Sequence, residues 1–237
     1  MVIYAHRGLS ARYPENTLLA FRHALATGAD GIELDVHLTA DKVPVVIHDR
    51  DVKRTTNGSG VVDQVALAHL QSFDAGEGQR APTLAAVLDL VADHVHLDVE
   101  IKGKDIAHEV LTVLDQYPSA RWAISSFDWA TLRQIRRLTA AAELWPLADR
   151  SDNDLFAIAA ELGAPTVSLF SGAYTPATAA AFSDAGLRVV AWTVNDVREA
   201  ERVRGLGAYA LCTDVPDRII TSGQTARRGQ PPVLARE

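Results

Sequence analysis

A chain of 237 residues, 48% hydrophobic and 22% charged, has enough apolar material for one large or two small globular domains. Its formal net charge of −7 argues against partners gripped by bulk positive field, nucleic acid and anionic membrane surfaces alike. The single cysteine, Cys212, rules out an internal disulfide and a cysteine zinc site, and its apolar run Ala210-Leu211-Cys212 suits a buried, unreactive thiol.

The first strand pattern begins at Val2, leaving no room for a secretory signal, and no apolar run is long enough for a bilayer. The expected compartment is the cytoplasm. Residues 2–6 read as a strand closing on His6-Arg7-Gly8. A helix is predicted over 14–27, with Pro14 in its first turn, Leu18, Phe21 and Leu25 at helical spacing, and Gly28 as its stop. Asn16 has two readings there, a helix cap or a support for the loop after His6. Strands 31–38 and 43–48 are joined by Thr39-Ala40-Asp41-Lys42, a link short enough to require an antiparallel hairpin.

Residues 49–82 lose the pattern and carry glycine-rich stretches, Thr55 to Gly60 and Gly76-Glu77-Gly78; they read as a small insertion standing above the fold. Regular alternation then resumes. Helices over 83–93, 105–116, 129–139, 152–162, 176–185 and 197–206 are each followed by a strand, over 95–101, 121–126, 143–147, 166–169, 188–193 and 209–213. A last helical turn starts near Pro216. Setting aside the second hairpin strand, eight strand–helix units imply parallel strands with helical crossovers, hence a closed (β/α)8 TIM barrel occupying 1–221. The Gly-, Gln-, Pro- and Arg-rich residues 222–237 read as a disordered tail. An open doubly wound sheet would need a glycine-rich nucleotide loop after the first strand, and Arg7-Gly8-Leu9-Ser10 is not one.

Strand alternation separates Ile32, Leu34 and Val36 from Glu33 and Asp35, and Leu97, Val99 and Ile101 from Asp98, Glu100 and Lys102. Ionised groups do not face a helix layer, so Glu33, Asp35, Glu100 and Lys102 belong at the barrel mouth. Three crowded carboxylates call for a cation, and oxygen donors suit Mg²⁺ or Ca²⁺ rather than zinc. The plainer alternative is a structural ion network with Lys102, Arg7 and the histidines; buried charge is a poor source of stability, which disfavours it. His6 and His48 end their strands at equivalent positions and fit a general acid and a general base. Arg7 can fork two phosphate oxygens, and Lys102 adds a point charge. Ser125-Ser126-Phe127 and Trp192-Thr193-Val194-Asn195 can supply an apolar wall and hydrogen-bonding positions for an organic leaving group, with Trp192 equally suited to plain packing. His37 is a weaker mouth candidate, His94 and His96 fall at the stability end of their strand, and His23, His69 and His108 are expected to be solvated on helices.

Taken together, Ala5-His6-Arg7-Gly8, Pro14-Glu15-Asn16-Thr17, Glu33-Leu34-Asp35, Pro44 to Asp49, the Thr55-Thr56-x-Gly58-x-Gly60 run, Pro82-Thr83-Leu84, Val99-Glu100-Ile101-Lys102, Ser126-Phe127 and Trp192 to Asn195 resemble the glycerophosphodiester phosphodiesterase family over roughly Val2 to Asp217. The resemblance implies a TIM barrel with an insertion after the hairpin, and metal-dependent hydrolysis of glycerophosphodiesters to glycerol 3-phosphate and an alcohol. It implies His6 and His48 as the acid/base pair, Glu33, Asp35 and Glu100 as ligands of Mg²⁺ or Ca²⁺, and Arg7 and Lys102 as phosphate contacts. Gly207-Ala208-Tyr209-Ala210 departs from the family pattern, which tends to carry an acidic residue and a second glycine before the last strand. Phospholipase D action on lysophospholipids is the nearby alternative, and a non-catalytic phosphate-binding barrel the distant one. The expected partner is a small molecule, with no nucleic acid and no membrane insertion.

Overall fold

The computed structural model describes residues 1–91 and 93–228, with 223–228 as backbone alone. Its strands are β1 (Val2–His6), β2 (Gly31–Leu38), β3 (Pro44–Val46), β4 (His96–Ile101), β5 (Arg121–Ser126), β6 (Glu143–Ala148), β7 (Thr166–Phe170), β8 (Arg188–Trp192) and β9 (Ala210–Thr213). The helices are α1 (Leu18–Thr27), α2 (Leu67–Leu70), α3 (Leu84–Val91), α4 (Ala107–Leu114), α5 (Trp129–Leu138), α6 (Asn153–Leu162), α7 (Pro176–Asp184), α8 (Val197–Gly205) and α9 (Pro216–Arg228). The sheet runs β1-β9-β8-β7-β6-β5-β4-β2, and a β1–β2 pairing closes it. All eight of these strands are parallel to their neighbours, so the architecture is a (β/α)8 TIM barrel. Strand β3 pairs antiparallel on β2, Val36 opposite Val46, as the short hairpin link requires.

Period-two alternation divides each strand between two environments. Ile32, Leu34 and Val36 of β2, with Leu97, Val99 and Ile101 of β4, pack outward in a continuous core with Leu84, Val87 and Leu88 of α3 and Phe21 of α1. A separate, smaller core fills the barrel itself with Tyr4, Ala123, Trp145, Val190, Ala210 and Cys212. Truncating one of the fully buried leucines to alanine removes about 2–5 kcal/mol in such a setting. Among the described residues, no helix is long and apolar enough to cross a membrane.

Three expectations are corrected. Helix α1 starts at Leu18, not Pro14, because Thr17 accepts from the Ala20 amide as N-cap while Asn16 sits at a left-handed φ of 57°, which a helix cannot continue through. Pro14–Asn16 is freed as a loop at the barrel mouth. The C-terminal helix α9 continues to Arg228, past the boundary at 221 drawn from composition; the remainder of the expected disordered tail, 229–237, lies outside the described residues. His23 is not simply solvated, since its ring stacks on Tyr13 at 3.8 Å. The 49–82 segment contains α2 and two short 3₁₀ turns around its own apolar cluster of Val52, Val62 and Leu70, which packs on Val45 and Ile47 of the hairpin.

Candidate active site

Register determines which side chains share a level. His6 pairs with Glu33 and Glu33 with Asp98, while one pleat higher Asp35 pairs with Glu100 and Glu100 with Ser125. The inward faces of β1, β2, β4 and β5 therefore bring Glu33, Asp35 and Glu100 together, with one carboxylate oxygen of each within 4.8 Å of the others. All three residues are buried. One cavity is lined by His6, Arg7, Glu33, Glu100, Lys102 and Trp192, and His48 reaches it from the end of the hairpin.

The backbone turn that follows β1 is tight. Gly8 has a φ of 87°, and a Cβ there would stand 2.7 Å from the Ala20 carbonyl carbon, so α1 can approach only a glycine. That turn aims the Arg7 amide at Glu33, where it donates to the backbone carbonyl and to Oε2, both at 3.0 Å. The Arg7 guanidinium places Nε 3.2 Å from Asp35 Oδ2 and donates from Nη1 to Glu15 Oε1 at 2.8 Å. Lys102 Nζ stands 2.5 Å from Glu100 Oε1 and 3.3 Å from Asp35 Oδ1. Asn16, read earlier as a cap or a loop support, caps nothing: Nδ2 donates to Asp35 Oδ2 at 2.8 Å, and its amide to the Arg7 carbonyl at 3.0 Å.

The electrostatics are uneven. Burial raises Glu33 well above the usual carboxylate range, and Asp35 and Glu100 add to the effect. Burial beside Asp35 pushes Glu100 up to about 7, Lys102 offsetting this only in part. Asp35 is equally buried, yet Lys102 and Arg7 outweigh the desolvation and hold it below its ordinary value. Glu33 Oε1 is buried with no hydrogen-bond partner. An orphaned carboxylate oxygen among two other carboxylates fits a hard divalent cation with oxygen ligands, and the donor set contains no sulfur or nitrogen that would favour zinc.

The two histidines are held alike. His6 Nδ1 lies 2.6 Å from Asp214 Oδ1, and His48 Nδ1 lies 2.6 Å from Asp49 Oδ1. Asp214 is buried enough to resist ionisation, but its bonds to His6, Asn195 and Ser10 hold it down at about 2. Arg54 in the insertion, with His48, drives Asp49 well below its usual range. Both carboxylates are thus acceptors at neutral pH, so each imidazole donates from Nδ1. His6 Nε2 is 3.8 Å from Glu33 Oε2. Burial depresses the His48 pKa, favouring its neutral form.

Every residue singled out from sequence lies at this mouth, with exceptions among the lesser candidates. Asn195 does not face the cavity; it bonds Asp214 and Thr213. His37 donates from Nε2 to the His48 carbonyl, 3.0 Å away, behind the site. Trp192 packs edge-on against Phe127 at 5.5 Å and beside Phe170 at 5.7 Å, forming the aromatic side of the mouth. Sequence reasoning passed over Asp214, Asp49, Glu15 and Arg54 as partners. For Asp214 the signal was present: it directly follows a strand, as Arg7 does.

The chain matches the model of the glycerophosphoryl diester phosphodiesterase family over residues 6–218. It is 37% identical to YhdW of Bacillus subtilis (strain 168), provisionally named a glycerophosphodiester phosphodiesterase, over 94% of this chain and 98% of that one. It is 34% identical to the glycerophosphodiester phosphodiesterase of Caldanaerobacter subterraneus, over 92% and 96% of the two chains. A phosphodiesterase from Oleispira antarctica, solved in complex with its product sn-glycerol-3-phosphate, superposes with a TM-score of 0.90 at 26% identity, covering 94% of this chain and 97% of the other. By sequence over almost its whole length and by the architecture that carries the site, the chain belongs to the glycerophosphoryl diester phosphodiesterase family.

Proposed function

We propose that this enzyme hydrolyses small glycerophosphodiesters to glycerol 3-phosphate and an alcohol, with a divalent cation at Glu33, Asp35 and Glu100 and with His6 and His48 as the acid/base pair. The observation that carries the reading is that two histidines, each anchored through Nδ1 by an ionised carboxylate, border the same cavity as a buried three-carboxylate cluster. The product bound to the Oleispira antarctica relative supports the choice of substrate.

A bound Mg²⁺ or Ca²⁺ supplies electrophilic stabilisation to the phosphoryl oxygens. With Nδ1 committed to Asp214 or Asp49, each imidazole is left with Nε2 for proton transfer. One takes the proton of the attacking oxygen and the other protonates the departing alkoxide, a division worth about 10²–10⁴-fold each in such sites. Arg7 keeps Nη2 clear of hydrogen bonds among the described residues and offers it to a phosphoryl oxygen. Lys102 sets an ammonium beside the same oxygens. Trp192, with Phe127 and Phe170, forms the apolar side on which the alcohol rests.

One observation favours a second substrate class, lysophospholipids cleaved in phospholipase D fashion: Phe127 and Phe170 are 45% and 44% exposed at the mouth, where an acyl chain would pass. The barrel from β1 through α9 is read as the catalytic domain, and a lone buried thiol at Cys212 accords with a cytoplasmic enzyme. The test is turnover of glycerophosphocholine against lysophosphatidylcholine, with and without EDTA. Release of glycerol 3-phosphate that stops with the chelator and returns with one divalent ion is expected. Undiminished release in EDTA would remove the metal from the proposal.

A further inference from the structure

The insertion contributes a side chain that touches neither the carboxylate cluster nor the cavity, yet joins the two halves of the site. Arg54 ends the 3₁₀ turn Val52–Arg54. That turn is pinned: Asp51 accepts from the Lys53 amide, the Val52 amide donates to the Gly60 carbonyl, and Val52 is buried in the insertion's apolar cluster. From this base the guanidinium forks onto two carboxylates. Nε and Nη2 donate to Asp49 at 2.6 and 3.0 Å, and Nη1 and Nη2 donate to Glu15 at 2.8 Å each. Asp49 is the carboxylate that holds His48 Nδ1, and Glu15 the one that holds Arg7 Nη1.

We propose that Arg54 is a positioning residue that fixes His48 and Arg7 in one geometry, so that the proton-transfer group and the phosphate-binding group are set by a single contact from the insertion. Without it Asp49 and Glu15 would each lose both of their Arg54 bonds, leaving them held by His48 and Arg7 alone. A purely structural role accounts poorly for the arrangement. The neighbouring Arg50–Asp63 pair, an exposed arginine on a single exposed carboxylate, shows what an ordinary surface pair in this segment looks like. What distinguishes Arg54 is that both its acceptors carry a second bond inward, to a group that faces the reacting phosphate. The planar fork also demands arginine, since an ammonium cannot engage two carboxylates through paired bonds.

The inference rests on the roles given above to His48 and Arg7, so its test includes variants that fail separately. Steady-state kinetics on glycerophosphocholine would be measured for Arg54→Ala, Arg54→Lys, Glu15→Ala and Asp49→Ala, for the triple variant, and for Arg50→Ala as a surface control, with melting temperatures throughout. Asp49→Ala should act mainly on kcat and Glu15→Ala mainly on KM. Arg54→Ala should move both, lowering kcat/KM by about 10–100-fold as supporting contacts of this kind do. Arg54→Lys should recover only part of that loss, and Arg50→Ala should match the wild type. In the background lacking Glu15 and Asp49, removing Arg54 should change nothing further. Wild-type kinetics in Arg54→Ala, or full recovery in Arg54→Lys, would overturn the inference while an inactive His48→Ala left the proposed chemistry standing. Should Arg54→Ala prove unstable, the Lys variant and the kcat-against-KM division of the two alanine variants decide it alone. An active His48→Ala would instead refute the underlying roles.

Discussion

The two ends of the barrel interior are built from similar residues and reach opposite electrostatic outcomes. At the base, Tyr4 Oη and His96 Nδ1 are 2.9 Å apart, Trp145 Nε1 donates to Glu143 at 2.8 Å, and Arg188 donates to Glu143 at 2.8 Å and to Thr166 at 3.0 Å. His96 also stacks on Trp145 at 5.6 Å. Polar groups are matched, and the result is packing. At the mouth, Glu33 Oε1 and Asp98 Oδ1 are buried without partners, and burial lifts Asp98 to about 7. Polar groups left unmatched in a folded protein cost stability, and their persistence at one end only is what the proposed cation site at the mouth would account for.

The largest break in this comparison should come from the histidines. His6→Ala and His48→Ala are each expected to lower kcat by about 10²–10⁴-fold with melting temperatures close to wild type. A variant retaining near-normal turnover would remove that residue from the proton-transfer pair. Next comes the cation. A divalent ion at a hundredfold excess over its dissociation constant should stabilise the fold by about 2.7 kcal/mol, seen as a rise in melting temperature that EDTA reverses. Glu33→Gln should abolish that rise and, by relieving a crowded buried charge, make the metal-free protein more stable by on the order of 1 kcal/mol. A metal-free Glu33→Gln protein less stable than the wild type would contradict the account of the mouth.

The base should answer in the opposite sense. Tyr4→Phe removes the partner of the half-buried His96 Nδ1 and should cost about 0.5–1.5 kcal/mol of stability, with kcat/KM unchanged. A changed kcat/KM with unchanged stability would erase the distinction between the two ends. The smallest effect is a pH slope. Burial lowers His96 from 6.5 to about 4, Arg121 and Arg188 reinforcing and Glu143 opposing. A base whose folded pKa is depressed binds its proton more readily when unfolded. Its contribution is therefore complete above about pH 6.5 and is lost as pH falls toward 4. His96→Phe should flatten the stability curve across that window, and an identical slope in both proteins would exclude His96 as its source.

Sequence alone reached the closed barrel, because period-two strands alternating with period-3.6 helices leave few ways to bury both apolar faces. The same alternation put Glu33, Asp35 and Glu100 on the inward face, since a face is decided by parity along one strand. The hairpin followed from its four-residue link. The true start of α1 was not legible, because Pro14-Glu15-Asn16-Thr17 satisfies helix-start rules at two places and the choice fell to Asn16, drawn out of line by Asp35. The identity of each histidine's partner was equally hidden: Asp214 meets His6 only because closure sets β9 beside β1. Arg54 reaches Asp49 and Glu15 only once the insertion has packed on the hairpin. Local patterning determined which residues face inward and at what height; which of them touch was decided by ring closure and by the loops above it, contacts between distant segments that no local period encodes.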